Sequence, residues 1–190
     1  MLFRSFLIET EKEKEGYNKS VKSILELAEK NPKYKKGMNG VLAGLLEVPK
    51  EYELAIEMAL GAMVQNIVTE TEEDAKEFVE YLRENKLGRA SFLPISSIKG
   101  QRITKINSTG IKGVLGIACD LIKYNSKYEQ IVLNLLGKTV IVEDMDSAIS
   151  LSRKNSNSFK IVTLKGDIIN SSGAITGGYV APKTVNLIGR

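Results

Sequence analysis

Lys165-Gly166-Asp167-Ile168-Ile169-Asn170-Ser171-Ser172-Gly173-Ala174-Ile175-Thr176-Gly177-Gly178 is the stretch on which the reading turns. Ile168 and Ile169 are β-branched, Asn-Ser-Ser-Gly is turn chemistry, and Ala-Ile-Thr leads into a glycine pair. The pattern predicts a strand, a turn and a second short strand. Glycine weakens a strand unless something must come close to the backbone. A phosphate, another ligand, or a strand from a second chain would each meet that condition. An ordinary hairpin with flexible turns fits the local pattern equally well.

Upstream, the chain reads as two similar halves. Gly40-Val41-Leu42 is matched by Gly113-Val114-Leu115, Tyr52-Glu53 by Tyr128-Glu129, and Leu60-Gly61 by Leu136-Gly137, read as one constant offset. Strand Asn66–Thr69 corresponds to Thr139–Val142, helix start Asp74-Ala75 to Ser147-Ala148, and strand Arg89–Ile95 to Phe159–Leu164. In the first half a loop covers Tyr34–Gly40 and a strand covers Val41–Val48. Pro49 opens a helix that places Tyr52, Ala55, Ile56, Ala59 and Leu60 inward. Thr71-Glu72-Glu73-Asp74 puts acids where a helix dipole favours them, and Ala75, Phe78, Val79 and Leu82 face the core. The expectation is a mixed α/β (α+β) domain of two β-α-β-α-β lobes, about 37–95 and 113–180. A duplication of this spacing suits a two-lobed domain rather than a solenoid.

Residues 1–30 read as helix, with Phe3, Leu7, Thr10, Lys14, Tyr17, Val21, Ile24 and Ala28 spaced as a coiled-coil seam. The pattern suits either an amphipathic helix packed on its own domain or the end of a coiled-coil arm over 1–33. Asn31-Pro32 stops it. The last residues, 181–190, read as the start of a further element.

The joining segment 96–112 stands out by charge. No acid occurs from Asn85 to Cys119, whereas Lys99, Arg102, Lys105 and Lys112 are basic. It reads either as a solvated linker or as a patch that touches phosphate backbones. No aromatic lies between Lys99 and Lys112, so base stacking is not indicated.

Composition bounds the rest. The chain has 190 residues, 43% apolar and 26% charged, with net charge +4. That suits a globular domain with a real core. No membrane span or signal peptide is legible. The single cysteine, Cys119, reads as a small core residue in a reducing compartment. There is no histidine, which removes the commonest general base and metal ligand. No phosphate loop of the Gly-x-x-x-x-Gly-Lys-[Ser/Thr] type, nucleophile elbow or Cys/His cluster occurs. Glu143, Asp144 and Asp146 read as complements to a helix dipole rather than magnesium ligands. No cofactor and no enzymatic activity are expected.

The sequence resembles the hinge domain of structural maintenance of chromosomes (SMC) proteins of the bacterial or archaeal type. The resemblance rests on Glu15-Gly16-Tyr17 with Val21-Lys22, and on Gly37 to Leu42. It rests further on Ala55-Ile56-Glu57-Met58-Ala59-Leu60-Gly61, on Gly88-Arg89-Ala90-Ser91-Phe92-Leu93-Pro94, and on Gly166-Asp167 through Gly177-Gly178. It implies a homodimerisation module with Gly166, Ser172, Gly173, Gly177 and Gly178 at the interface. Ser172-Gly173 stands where family hinges usually carry the first of two glycine pairs. It also implies weak binding of double- or single-stranded DNA. Lys99, Arg102, Lys105 and Lys112 would carry this, with Lys33, Lys35, Lys36 and Lys183 where the arms emerge. The family further implies ATPase heads and condensin-type subunits outside this chain, and a cytoplasmic, nucleoid-associated protein with no membrane partner. The rival expectation is an α/β ligand-binding or enzymatic domain that uses the C-terminal glycine loop for an anion.

Overall fold

The computed structural model describes residues 14–182 and 186–189. Within the predicted helix 1–30, residues 14–17 form a turn and α1 runs Lys19–Lys30. Val21 and Ile24 of α1 pack with Val41, Ile67, Phe78 and Leu82 of the same chain. The seam positions Phe3, Leu7 and Thr10 lie outside the described residues. Asn31 ends α1 and also caps α2, Pro32–Gly37, its side-chain oxygen accepting the Lys33 N–H at 3.0 Å. Tyr34–Gly37 is therefore helix, not loop. Proline is tolerated in a first turn, where its missing N–H would have no partner anyway.

The predicted strand Val41–Val48 is three elements: β1 Met38–Val41, α3 Leu42–Leu45 and β2 Leu46–Glu47. A continuous apolar run does not distinguish helix from strand. A 3-10 turn at Lys50–Tyr52 leads into α4, Glu53–Leu60, followed by β3, Ile67–Thr69. Helix α5, Glu72–Glu84, is held at its start by a capping box: Asp74 N–H donates to Thr71 Oγ1 at 3.2 Å and Thr71 N–H to Asp74 Oδ2 at 3.1 Å. It buries Ala75, Phe78 and Leu82, while Val79, predicted inward, is 37% exposed. Strand β4 is Phe92–Pro94, and Phe92 stacks on Phe78 with centroids 5.7 Å apart.

The second half repeats the plan with β5 Val114–Ile117, β6 Lys123–Tyr124, α6 Glu129–Leu136, β7 Thr139–Val142, α7 Met145–Lys154 and β8 Lys160–Thr163. It then adds β9, Ile168–Ile169, and β10, Ile175–Thr176. The sheets run β1-β3-β4 and β10-β9-β8-β7-β5. In each, the first strand of the lobe is antiparallel to the second, and the second is parallel to the third.

The structure corrects the alignment of the halves. Both first strands shift register, between Met38 and Gly40 and between Val114 and Gly116. Gly40 and Gly116 sit at the shift with φ 135 and φ 150, conformations that favour glycine. Gly116, not Gly113, is thus the counterpart of Gly40. Gly113 corresponds to Gly37: their carbonyls accept the N–H of Glu143 at 2.8 Å and of Glu70 at 3.0 Å. A Cβ at Gly37 would run into Asp74, and one at Gly113 into Ser147, the equivalent positions of the outer helices. The halves are related through insertions rather than by one constant offset.

A single apolar cluster joins the lobes. Leu42, Ala55, Ile56, Leu60 and Val68 from the first pack with Ile117, Ile131, Leu136, Ile141 and Val162 from the second. Alternation along the strands feeds separate outer clusters: Ile67 lies under α1 and α5, while Val140 and Val142 lie with Ala148 and Leu151 of α7. Strand β2 pairs antiparallel with β6, one strand from each lobe. Lys127 of the second lobe adds an ion pair to Glu70 and donates to Asn39 Oδ1 at 2.7 Å, both in the first lobe.

The segment 96–112 has no regular secondary structure, yet it is a packed strap rather than a free linker. Ile98, Ile103 and Ile106 are half-buried against the shared core. Gly100 N–H donates to Gln130 Oε1 at 3.0 Å and Ile103 N–H to the Gly137 carbonyl at 2.9 Å. Any side chain at Gly100 would collide with the backbone of Leu133 and Asn134. Asn107 and Asn155 exchange hydrogen bonds at 2.9 and 3.0 Å, fixing the strap to the end of α7.

Candidate functional site

The exposed rim of the larger sheet is the most unusual surface of the molecule. The turn 170–173 joins β9 to β10: Gly173, at φ 86, donates its N–H to the Asn170 carbonyl at 2.8 Å, and Asn170 N–H donates to the Ala174 carbonyl at 2.9 Å. This is the common three-residue hairpin connection with glycine in the left-handed position. Ser172 has no positive φ, so serine there carries no backbone penalty.

Ile175 pairs directly with Ile169. Directly opposite residues of an antiparallel pair point to one face. Ile169 is 3% exposed, in the cluster beneath α7, whereas Ile175 is 59% exposed. The apolar face of the sheet therefore continues one strand past the helix that covers it. The hydrogen-bonding alternation, set by the Asn170–Ala174 bond, also turns the Ile175 N–H and C=O away from β9. All residues from Ser171 to Tyr179 are exposed, and Tyr179 is 89% exposed. From Ile168 to Pro182 there is no charged residue. Sheet edges are ordinarily blunted by charge, proline or a covering element, and none of these lies on β10.

The predicted interface residues separate into two groups. Ser172, Gly173, Gly177 and Gly178 lie on the exposed rim. Gly166 does not: it is buried, and a Cβ there would stand 2.8 Å from Met58 Cγ. It is a glycine because its φ of 87 favours one and because α4 of its own chain packs against it. Asp167, which sequence reading passed over, holds the rim from beneath. Its Oδ1 accepts the Gly178 N–H at 3.1 Å, and its Oδ2 accepts the Thr163 hydroxyl at 3.2 Å.

This architecture has known counterparts. The family model described as the SMC proteins flexible hinge domain matches residues 35–152. The chain belongs to the SMC flexible hinge domain family. It is similar to the chromosome partition protein Smc of Clostridium kluyveri (strain NBRC 12016), 39% identical over 186 residues, covering 97% of this chain and 16% of the relative. The corresponding protein of Halothermothrix orenii is 44% identical over 176 residues, covering 92% of this chain and 14% of the relative. The hinge thus spans a small part of the length of these relatives. Among solved structures, the asymmetric dimer of the Geobacillus stearothermophilus SMC hinge domain aligns with TM-score 0.84 at 32% identity, covering 98% of this chain and 74% of that one. The Pyrococcus furiosus SMC hinge domain aligns with TM-score 0.64 at 35% identity, covering 89% of this chain and 95% of that one. The two-lobed mixed α/β plan read from the sequence is the fold of this hinge family.

On the hinge, the predicted DNA-contacting residues are unequal. Lys99, Lys105 and Lys112 are exposed along the strap, with no ion-pair partner among the described residues. Arg102 is committed elsewhere: its guanidinium grips Asp120, with Nε 3.0 and 3.1 Å from the two carboxylate oxygens. That hydrogen bond holds the Asp120 carboxyl below its ordinary value against the opposing effect of burial. Lys33 pairs with Glu77 at 3.0 Å, while Lys35 and Lys36 are exposed on the last turn of α2. The strap is tied to the second lobe, whereas α2 packs on the first. Lys183 lies outside the described residues.

The hinge shows little that could do chemistry. Burial pushes the Cys119 thiol up to about 11, which keeps it protonated and inert at neutral pH. Asp144 caps α7 through the Ser147 N–H at 2.8 Å, which accounts for the acid cluster there. Among the described residues no group of acids and cysteine is placed to hold a metal, and no helix is long and apolar enough to cross a membrane.

Proposed function

We propose that this hinge is a homodimerisation module that docks a second copy along β10. The single observation that carries the reading is Ile175, on the same sheet face as buried Ile169 yet left without cover. A second chain removes that apolar face and the unpaired backbone of β10 from water together. The complementary surface is β4. In the second lobe, β8 is flanked by β9, whereas in the first lobe the equivalent strand β4 is the end of its sheet. Ile67 N–H bonds the Ser91 carbonyl and Ile95 N–H bonds the Thr69 carbonyl, so the backbone groups of Phe92 and Pro94 face outward. Proline lacks a donor, which confines strand pairing to the Phe92 end. Two-fold symmetry makes each β10–β4 contact occur twice.

Within a full-length protein the dimer would join two coiled-coil arms of a chromosome-organising ATPase. Its place would be the cytoplasm, at the nucleoid, in chromosome condensation and segregation. The arms would lie at 1–33 and 181–190, and the ATPase heads and condensin-type subunits would lie beyond this chain. The rival anion-binding reading of the glycine loop is disfavoured by charge, because the Asp167 carboxylate lies against Gly177 and bonds Gly178. Sedimentation equilibrium tests the dimer. A particle of twice the 20.9 kDa chain mass is expected, and a monomer at tens of micromolar would overturn it.

Weak, sequence-indifferent DNA binding is part of the same proposal, carried by Lys99, Lys105 and Lys112 on the strap and by Lys35 and Lys36 on α2. Each phosphate contact contributes a salt-dependent term. Replacing the three strap lysines by alanine is expected to weaken binding in a gel-shift titration by about tenfold and to flatten its salt dependence. Unchanged binding removes that role. Arg102→Ala is expected to have a smaller effect on DNA, since Asp120 already holds its guanidinium.

A further inference from the structure

Gly177 and Asp167 form a unit whose purpose is local. Gly177 has no positive φ, so its backbone would accept alanine without strain. The three nearest atoms to a Cβ at Gly177 all belong to Asp167: its carboxylate Oδ1, Cγ and Cβ. The same Oδ1 accepts the N–H of Gly178 at 3.1 Å. Asp167 is itself anchored at β8. Its N–H donates to Thr163 Oγ1 at 3.1 Å, its carbonyl accepts the Thr163 N–H at 2.9 Å, and Thr163 is 1% exposed. A rigid, buried threonine thus fixes the carboxylate, and the carboxylate fixes the main chain just after β10.

We infer that Asp167 is the positioning residue of the dimer edge, and that Gly177 is side-chain-free in order to admit the Asp167 carboxylate rather than a partner strand. The inference rests on the dimer reading above. Ile175 and Tyr179 lie on either side of the held segment, so the aspartate sets where both are presented. Without it, the rim after Thr176 loses its tie to the sheet, and a second copy must order that segment on docking.

A double-mutant cycle read by sedimentation tests this. Asp167→Ala and Gly177→Ala are each expected to weaken the dimer by about tenfold, because one removes the acceptor and the other displaces it. The combined variant is expected to be no weaker than Asp167→Ala alone. Asp167→Asn keeps an acceptor oxygen and is expected to stay within about threefold of the native chain. If Gly177→Ala instead retains its full cost in the Asp167→Ala background, the bare position serves the partner and the inference is wrong. It is equally wrong if Asp167→Ala leaves the dissociation constant unchanged. The Gly178 amide proton, followed by NMR, separates this from failure of the dimer reading. In a native chain that proves monomeric, Asp167→Ala and Gly177→Ala should still shift that resonance upfield as the hydrogen bond is lost. An unmoved resonance overturns the inference.

Discussion

Replacing Ile175 by aspartate is expected to give a folded monomer. In the isolated chain Ile175 is 59% exposed on a two-residue strand, so the substitution costs the fold little, about 0.5 kcal/mol or less. In the proposed dimer the same position is covered, so a carboxylate there would be buried without a partner. An unpaired charge at the centre of an interface costs several kcal/mol, so the dissociation constant should rise by at least ~100-fold. Sedimentation and circular dichroism on the same sample check both halves of the statement. A native-like spectrum with a dimer mass would contradict it. Glutamates at Gly177 and Gly178 should also give monomers, but less cleanly, because a side chain at Gly177 already collides with Asp167.

Ile131→Ala is expected to weaken the whole molecule in one step. Ile131 is 1% exposed and belongs to the cluster that contains residues of both lobes. Removing a fully buried isoleucine side chain beyond its Cβ typically costs about 2–5 kcal/mol, the spread reflecting how far the cavity collapses. Because the lobes share that cluster, and because β2 pairs with β6, the loss is felt by both. Urea unfolding should remain a single transition with a lower midpoint and an unchanged slope. Two transitions, with only the second lobe destabilised, would show that the shared cluster does not couple the lobes.

How much of this was legible in the sequence depends on the range of the interaction concerned. The Thr71-Glu72-Glu73-Asp74 start of α5 was readable because a capping box is made within four consecutive residues. The repeat was readable at Tyr52-Glu53 and Tyr128-Glu129, where chemistry recurs in order. It was misaligned at Gly113, because a β-bulge is defined by what stands across the sheet, and Gly113 and Gly116 look alike along the chain. Pro32 was taken as a stop, although Asn31 before it also caps a new helix. The strap was read as linker because its isoleucines, Ile98, Ile103 and Ile106, follow neither a helical nor a strand period. Their partners are supplied by the shared core.

The same rule divides the site. A chain that spares side chains near its end is visible in the letters themselves. What each glycine spares room for is not. Gly166 yields to Met58 on α4 and Gly177 to Asp167, and only the fold distinguishes such contacts from approach by another molecule. Ile175 could have been singled out by one further observation, the absence of charge from Ile168 to Pro182. An edge strand protected by neither charge nor proline implies a cover. Arg102 could not have been set apart from the strap lysines, since Asp120 meets it across a packed strap rather than at a helical spacing.

Hydrogen exchange at the β10 rim, followed as a function of protein concentration, tests the central claim most directly. Among the described residues the backbone of Ile175 has no partner, so docking of a second chain is expected to protect its amide. Protection of the Ile175 amide is expected to appear as concentration rises through the dimer range and to vanish on dilution, whereas the Thr176 and Gly178 amides, bonded within the chain, stay protected throughout. A dimer in which the Ile175 amide exchanges as fast as in an unstructured peptide would place the contact elsewhere and contradict the account.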